Sequence, residues 1–137
     1  MGESMITSFD GTKLYLKKET AADNKAVIVI VHGLCEHQGR YDYFAEKLHE
    51  VGIGTYRFDH RGHGRSEGEE TFYSDFNELL DDTNVVVDMA IEENPDIPVF
   101  LLGHSKIDDG MYFDRCGNII DGFVKRHKKT IYKRRVL

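Results

Sequence analysis

The chain has 137 residues, 40% of them hydrophobic and 31% charged, with a net charge of −6, an ordinary globular balance that supplies one modest core and not two. The longest unbroken apolar run, residues 26–31, is far too short to cross a bilayer, and the N-terminus shows neither a secretory pattern nor the Ser or Thr at position 6 of a myristoylation site. Two cysteines, Cys35 and Cys116, are too few for a disulfide framework, so the expected setting is the cytoplasm with both thiols reduced.

In chain order, TSFDGTKLYLKKE places Asp10-Gly11 between two short runs with partial alternation, which predicts a hairpin. AVIVIV, residues 26–31, is continuous in β-branched residues, as in a strand buried on both faces of a mainly parallel sheet. The glycine-bearing turn HGLCEHQGR follows. Tyr41, Phe44, Ala45, Leu48 and Val51 then recur at helical spacing, with Gly52 where a helix would stop. IGTYRF is the next strand and runs into the polar loop DHRGHGRSEGEE. Ser74 and Asp75 open a second amphipathic helix with Phe76, Leu79, Leu80, Val86, Val87, Ala90 and Ile91 near one stripe, closed by Asn94 and Pro95. Pro98 precedes the apolar strand VFLLG. Strands alternating with helices predict an α/β fold: a mainly parallel sheet led by an N-terminal antiparallel hairpin.

The pattern dissolves after Ser105, and the charge changes there too. Residues 1–105 hold 9 basic and 20 acidic side chains, a balance of −11, whereas residues 106–137 hold 9 basic and 4 acidic, a balance of +5. Glycines at 110, 117 and 122 are too frequent for a helix interior, each costing about 1 kcal/mol relative to Ala. VKRHKKTIYKRRVL reads as a short basic helix or a frayed end. The expected division is therefore residues 1–105 as the folded domain and 106–137 as a divergent basic tail, disordered or out of frame.

Three stretches bear on chemistry. VFLLGHS is an apolar strand delivering Gly-x-Ser into a turn, the way a nucleophilic serine is presented, although the position two after Ser105, where such a turn has glycine, is the β-branched Ile107. Glycines 62, 64 and 68 miss the G-x-G-x-x-G spacing of a phosphate loop by one residue. Histidines 32, 37, 60 and 63 form no pair with a recognised zinc spacing, so no metal is expected, and Cys35 reads as a small filler.

Taken together, VIVHGLCEHQGRY, YRFDHRGHGRSEG and FLLGHS resemble the α/β-hydrolase family, within it the monoacylglycerol lipase and lysophospholipase group of serine aminopeptidase S33 type, over residues 1–105. The resemblance implies a partial α/β-hydrolase fold and an acyl-enzyme reaction on monoacylglycerols or lysophospholipids, with a small acyl ester as substrate and no cofactor. It implies Ser105 as nucleophile, the amides of Leu34 and Lys106 as oxyanion donors, and His32 and Gly33 in the substrate-facing turn. Asp59, Arg61, Gly62, His63, Gly64 and Ser66 match a D-x-R-G-H-G-x-S segment that reads as a rigid loop beside the site.

The family order of serine, acid and histidine is kept on paper by Asp114 or Asp121 followed by His127. Nothing between them reads as the strand, helix and strand that would bring them to one sheet edge. The expectation is the N-terminal portion of such a hydrolase, truncated and inactive, whose VFLLG strand lacks an outer neighbour and exposes an edge for self-association. A second reading makes the chain a non-catalytic interaction protein whose basic tail binds nucleic acid or an anionic membrane surface. A solvated tail, with at most transient membrane contact, is the favoured account of those charges.

Overall fold

The computed structural model describes residues 2–32, 37–69, 76–104 and 133–136. The elements are β1 (Gly2–Thr7), β2 (Lys13–Glu19), β3 (Ala26–Val31), a short 3-10 turn (Gln38–Tyr41), α1 (Asp42–Glu50), β4 (Ile53–Phe58), α2 (Phe76–Glu93), β5 (Val99–His104) and β6 (Lys133–Val136). Six strands form one sheet in the order β1-β2-β4-β3-β5-β6. β1 and β2 make the expected hairpin, β2 runs antiparallel to β4, and β4, β3, β5 and β6 are mutually parallel. The α/β class and the leading antiparallel hairpin read from the sequence are both present.

β-branched continuity in β3 reflects its central place, with neighbours on both edges and cover on both faces. Val27, Val29 and Val31 point to one face and join Leu14, Leu16, Tyr56, Phe58, Val99 and Leu101 in a core closed by Val86, Val87, Ala90 and Ile91 of α2. Each such side chain, once buried, stabilises the fold by about 1.5–3 kcal/mol, so this layer is the main source of stability. Among the described residues no helix is long and apolar enough to cross a membrane.

The opposite face is different in kind, and α1, a helix as its spacing predicts, is little buried there. Of its apolar stripe only Ala45 is fully buried, while Phe44 is 39% and Val51 54% exposed. The reason lies in β4, whose buried residues toward α1 are Thr55 and Arg57. The Arg57 guanidinium, 1% exposed, donates to the Gln38 carbonyl at 3.2 Å, to Asp42 at 2.6 Å and to Glu19 at 2.6 Å. His49 and Thr55 share a hydrogen bond of 3.1 Å. A helix held by charge-assisted and polar bonds does not need its apolar stripe against the sheet. It ends at Gly52, whose φ of +83° is a left-handed stop that glycine adopts without steric cost.

The outer edge of β5 departs from expectation. VFLLG was expected to lack a neighbour, but Leu101 to His104 pair in parallel with Lys133 to Val136. That segment of the tail is a strand, not a basic helix or a frayed end.

Candidate active site

Parallel pairing fixes where the chemistry-bearing turns leave the sheet. Val31 pairs with Gly103 and, on its other side, with Phe58. His32, Asp59 and His104 therefore sit at the same C-terminal edge, on three adjacent strands. Side chains of open parallel sheets meet their ligands at this edge. Gly33, Leu34, Ser105 and Lys106 lie outside the described residues, as do Cys35, Cys116, Ile107, Asp114, Asp121 and His127. What the structure gives in full is the frame around them.

The loop 59–68 is sutured to β2 along its length. Asp59 N donates to the Tyr15 carbonyl at 3.0 Å, Ser66 Oγ accepts from Tyr15 N at 2.8 Å, and Glu67 N donates to the Lys13 carbonyl at 2.8 Å. Ser66 Oγ also donates to the Asp59 carbonyl, closing the loop on itself at 2.5 Å. The Asp59 carboxylate, 2% exposed, accepts from Gln38 N at 2.7 Å through Oδ1 and from Arg65 N at 3.0 Å through Oδ2. Gly64 sits against it with φ +49°, and a Cβ there would stand 2.3 Å from Asp59 Oδ2. Gly64→Ala is thus expected to lower stability by about 2–4 kcal/mol, combining left-handed strain with overpacking against a carboxylate fixed by two amides. An unshifted denaturation midpoint would show that Asp59 can move aside.

His32 clusters with two histidines of this loop, His60 and His63. His32 and His60 are each 1% exposed, and their rings meet edge-on with centroids 4.4 Å apart. His60 N donates to His32 Nε2 at 2.9 Å, and His60 Nε2 donates to the His32 carbonyl at 2.8 Å. The His32 ring is thus bonded to the neighbouring loop. His63 Nδ1 donates to the Arg61 carbonyl at 3.0 Å. Burial, reinforced by the His32 and His63 rings, holds His60 neutral, its pKa well below the usual imidazole value. Among the described residues no group of three or more His, Cys, Asp or Glu is arranged to hold a metal ion.

Arg61 anchors the far side of the loop. Its Nε and Nη2 make a two-pronged bond to Asp82 of α2, both at 2.8 Å, and Nη1 reaches Asp10 at 2.9 Å and Glu78 at 3.4 Å. Ser8 Oγ donates to the same Asp82 carboxylate. The guanidinium holds the Asp10 carboxyl well below the usual carboxylate range. Sequence reasoning identified Asp59, Arg61, Gly64 and Ser66 but missed Asp82, Gln38 and Arg57. Asp82 had a signal: it lies three residues after Leu79 and four before Val86, on the buried stripe, where a charge requires a partner.

Comparison with known proteins matches this frame. A family model described as serine aminopeptidase, S33 matches residues 22–106. The chain is 46% identical over 106 residues to a monoglyceride lipase homolog of Monkeypox virus, covering 77% of this chain and 38% of that one. It is 40% identical over 76 residues to protein K6 of Vaccinia virus (strain Western Reserve), covering 56% of this chain and 91% of that one. Among solved structures, a soluble variant of monoglyceride lipase from Saccharomyces cerevisiae in complex with a substrate analog superposes with a TM-score of 0.67 at 23% identity, over 74% of this chain and 35% of that one, a likeness of fold. The chain spans 30%, 33% and 38% of the length of the first three curated lipase relatives it matches.

Proposed function

Since the chain belongs to the serine aminopeptidase S33 family of α/β-hydrolases, we propose that it is a serine carboxylic-ester hydrolase acting on monoacylglycerols or lysophospholipids, with Ser105 as nucleophile. The observation that carries this reading is the adjacency of β3 and β5, which start the turn after His32 and the segment after His104 from one sheet edge. An acyl-transfer site needs that adjacency, because the attacking oxygen and the donors that receive the oxyanion must lie within about 3 Å of one carbonyl group.

Ser105 Oγ attacks the ester carbonyl while its proton passes to a histidine, and the amides of Leu34 and Lys106 receive the negative charge. Collapse expels the alcohol, protonated by the same histidine, and leaves an acyl-serine that water then hydrolyses. By order along the chain, the histidine is His127 and the acid behind it Asp114 or Asp121. Against the expectation of an inactive chain stands β6, a parallel strand after residues 105–132 that extends the sheet beyond β5. The same pairing supports a structural duty for the basic tail over a free anion-binding arm. The count of two cysteines supports a reducing, cytoplasmic setting.

A fluorophosphonate reports the activated serine directly. One phosphonyl adduct per chain, mapped by peptide mass spectrometry to Ser105, is the expected result. A chain that stays unmodified under conditions that label a reference serine hydrolase would refute the proposal.

A further inference from the structure

β1 closes one side of the sheet, and among the described residues no strand lies beyond it. Its pairing with β2 runs from Gly2 opposite Lys18 to Thr7 opposite Lys13 without a bulge. On β2 the main-chain groups of Lys13 and Tyr15 point away from β1. Lys13 N donates to Glu67 Oε1 and Tyr15 N to Ser66 Oγ, while their carbonyls accept from Glu67 N and Asp59 N. Antiparallel ladders alternate, so Leu14 and Leu16 face β1 and bond Ile6 and Ser4. The N–H and C=O groups of Glu3, Met5 and Thr7 are therefore the ones directed outward.

Exposed edges of natural sheets are commonly blunted by lysine, proline or a bulge. GESMIT carries none of these. Its one charge, Glu3, is engaged within its own copy: Oε1 accepts from the Tyr15 hydroxyl and lies 3.6 Å from Arg65 Nη1. Met5, at the middle of the strand, is 48% exposed. At the other end Lys13 Nζ donates to Thr7 Oγ1 at 2.6 Å. One face of the edge thus carries a carboxylate at position 3, an ammonium held over position 7, and an exposed methionine between them.

We infer that β1 is the docking surface for a second copy of this chain, the two strands running antiparallel about a twofold axis at Met5. In that register Met5 lies opposite its own counterpart and Glu3 opposite Thr7 of the other copy, so every outward N–H and C=O of Glu3, Met5 and Thr7 is used. A twofold contact has to be self-complementary, and this one is. Each Glu3 carboxylate arrives beside a Thr7 hydroxyl that carries the Lys13 ammonium, and no like charges fall opposite each other along the paired strands. A shift of two residues in either direction loses the charge match. That match selects a second copy over an unrelated extended peptide, which takes the same main-chain bonds without needing it. β2 and β4 separate β1 from β3, so the contact is independent of any chemistry at the C-terminal edge of the sheet.

Sedimentation equilibrium on the full chain reads the association. A contact this small, built on main-chain bonds, is expected to give a monomer–dimer equilibrium between about 1 and 100 µM. Met5→Pro deletes an outward N–H at a place where an edge strand tolerates proline. The urea midpoint is expected to stay unchanged while the dissociation constant rises about tenfold or more. Glu3→Lys and Lys13→Glu each set like charges across the axis, and each alone is expected to weaken the dimer about tenfold. Mixed in equal amounts, the two variants restore matched charges on both sides and recover the wild-type affinity. A wild-type chain that stays monomeric to about 100 µM overturns the proposal. So does a dimer unmoved by Met5→Pro, which would place the contact on another surface, and so does growth beyond two copies, which would make it open instead of twofold. If Met5→Pro lowers the urea midpoint, the mixing experiment decides: no recovery on mixing overturns the register and with it the second copy as occupant.

Discussion

Asp82→Ala is expected to destabilise the fold by about 3–5 kcal/mol, the cost of leaving a buried charge without its partner. Asp82 is fully buried and accepts three bonds, two from Arg61 and one from Ser8. Its loss leaves the Arg61 side chain, 8% exposed, with Asp10 and Glu78, which are 34% and 24% exposed and farther from the protein interior. Those two partners face water, where ion pairs are worth about 0–1 kcal/mol, and they do not replace a two-pronged bond in the core. Removing both charges is different. Arg61→Leu with Asp82→Leu is expected to cost less than Asp82→Ala alone, because no uncompensated ion stays behind. Urea denaturation at neutral pH measures both. A loss under about 1 kcal/mol in Asp82→Ala would mean that solvent reaches the guanidinium, contrary to its burial here.

The same pair explains why the loop 59–68 is rigid without an apolar interior of its own. Its anchor points are a buried ion pair to α2, a carboxylate shared between two amides, and a run of main-chain bonds to β2. These elements all border the C-terminal edge of β3 and β4.

Much of this was legible in the sequence, for identifiable reasons. β3 announced itself because a central parallel strand is apolar on both faces, and only an unbroken β-branched run meets that demand. α2 was legible because its stripe packs on the apolar cluster of the sheet. The spacing of α1 was legible, but how far its stripe is covered depends on Arg57 and Thr55 of β4, a tertiary fact that periodicity does not contain. β6 was invisible because Lys133, Arg134 and Arg135 suppress every apolar signal of a strand, and its pairing is set by the open edge of β5. The histidines gave spacing without meaning. Only the fold shows that His32 and His60, 28 residues apart, exchange a ring and a peptide group with each other.

The larger effect concerns chemistry and falls on Ser105. A serine hydroxyl is a weak nucleophile until a base takes its proton, and replacing it with alanine removes one oxygen atom and nothing that the described core depends on. In the proposed mechanism the oxyanion donors are unaffected, so the loss would isolate covalent catalysis from binding and oxyanion stabilisation. In comparable sites that loss is about 10³-fold or more in kcat. The most direct measurement is the rate of fatty-acid release from a 1-monoacylglycerol by the wild-type chain and by Ser105→Ala at equal folded concentration. The account predicts turnover by the first and none above background by the second; equal rates in the two proteins would contradict it.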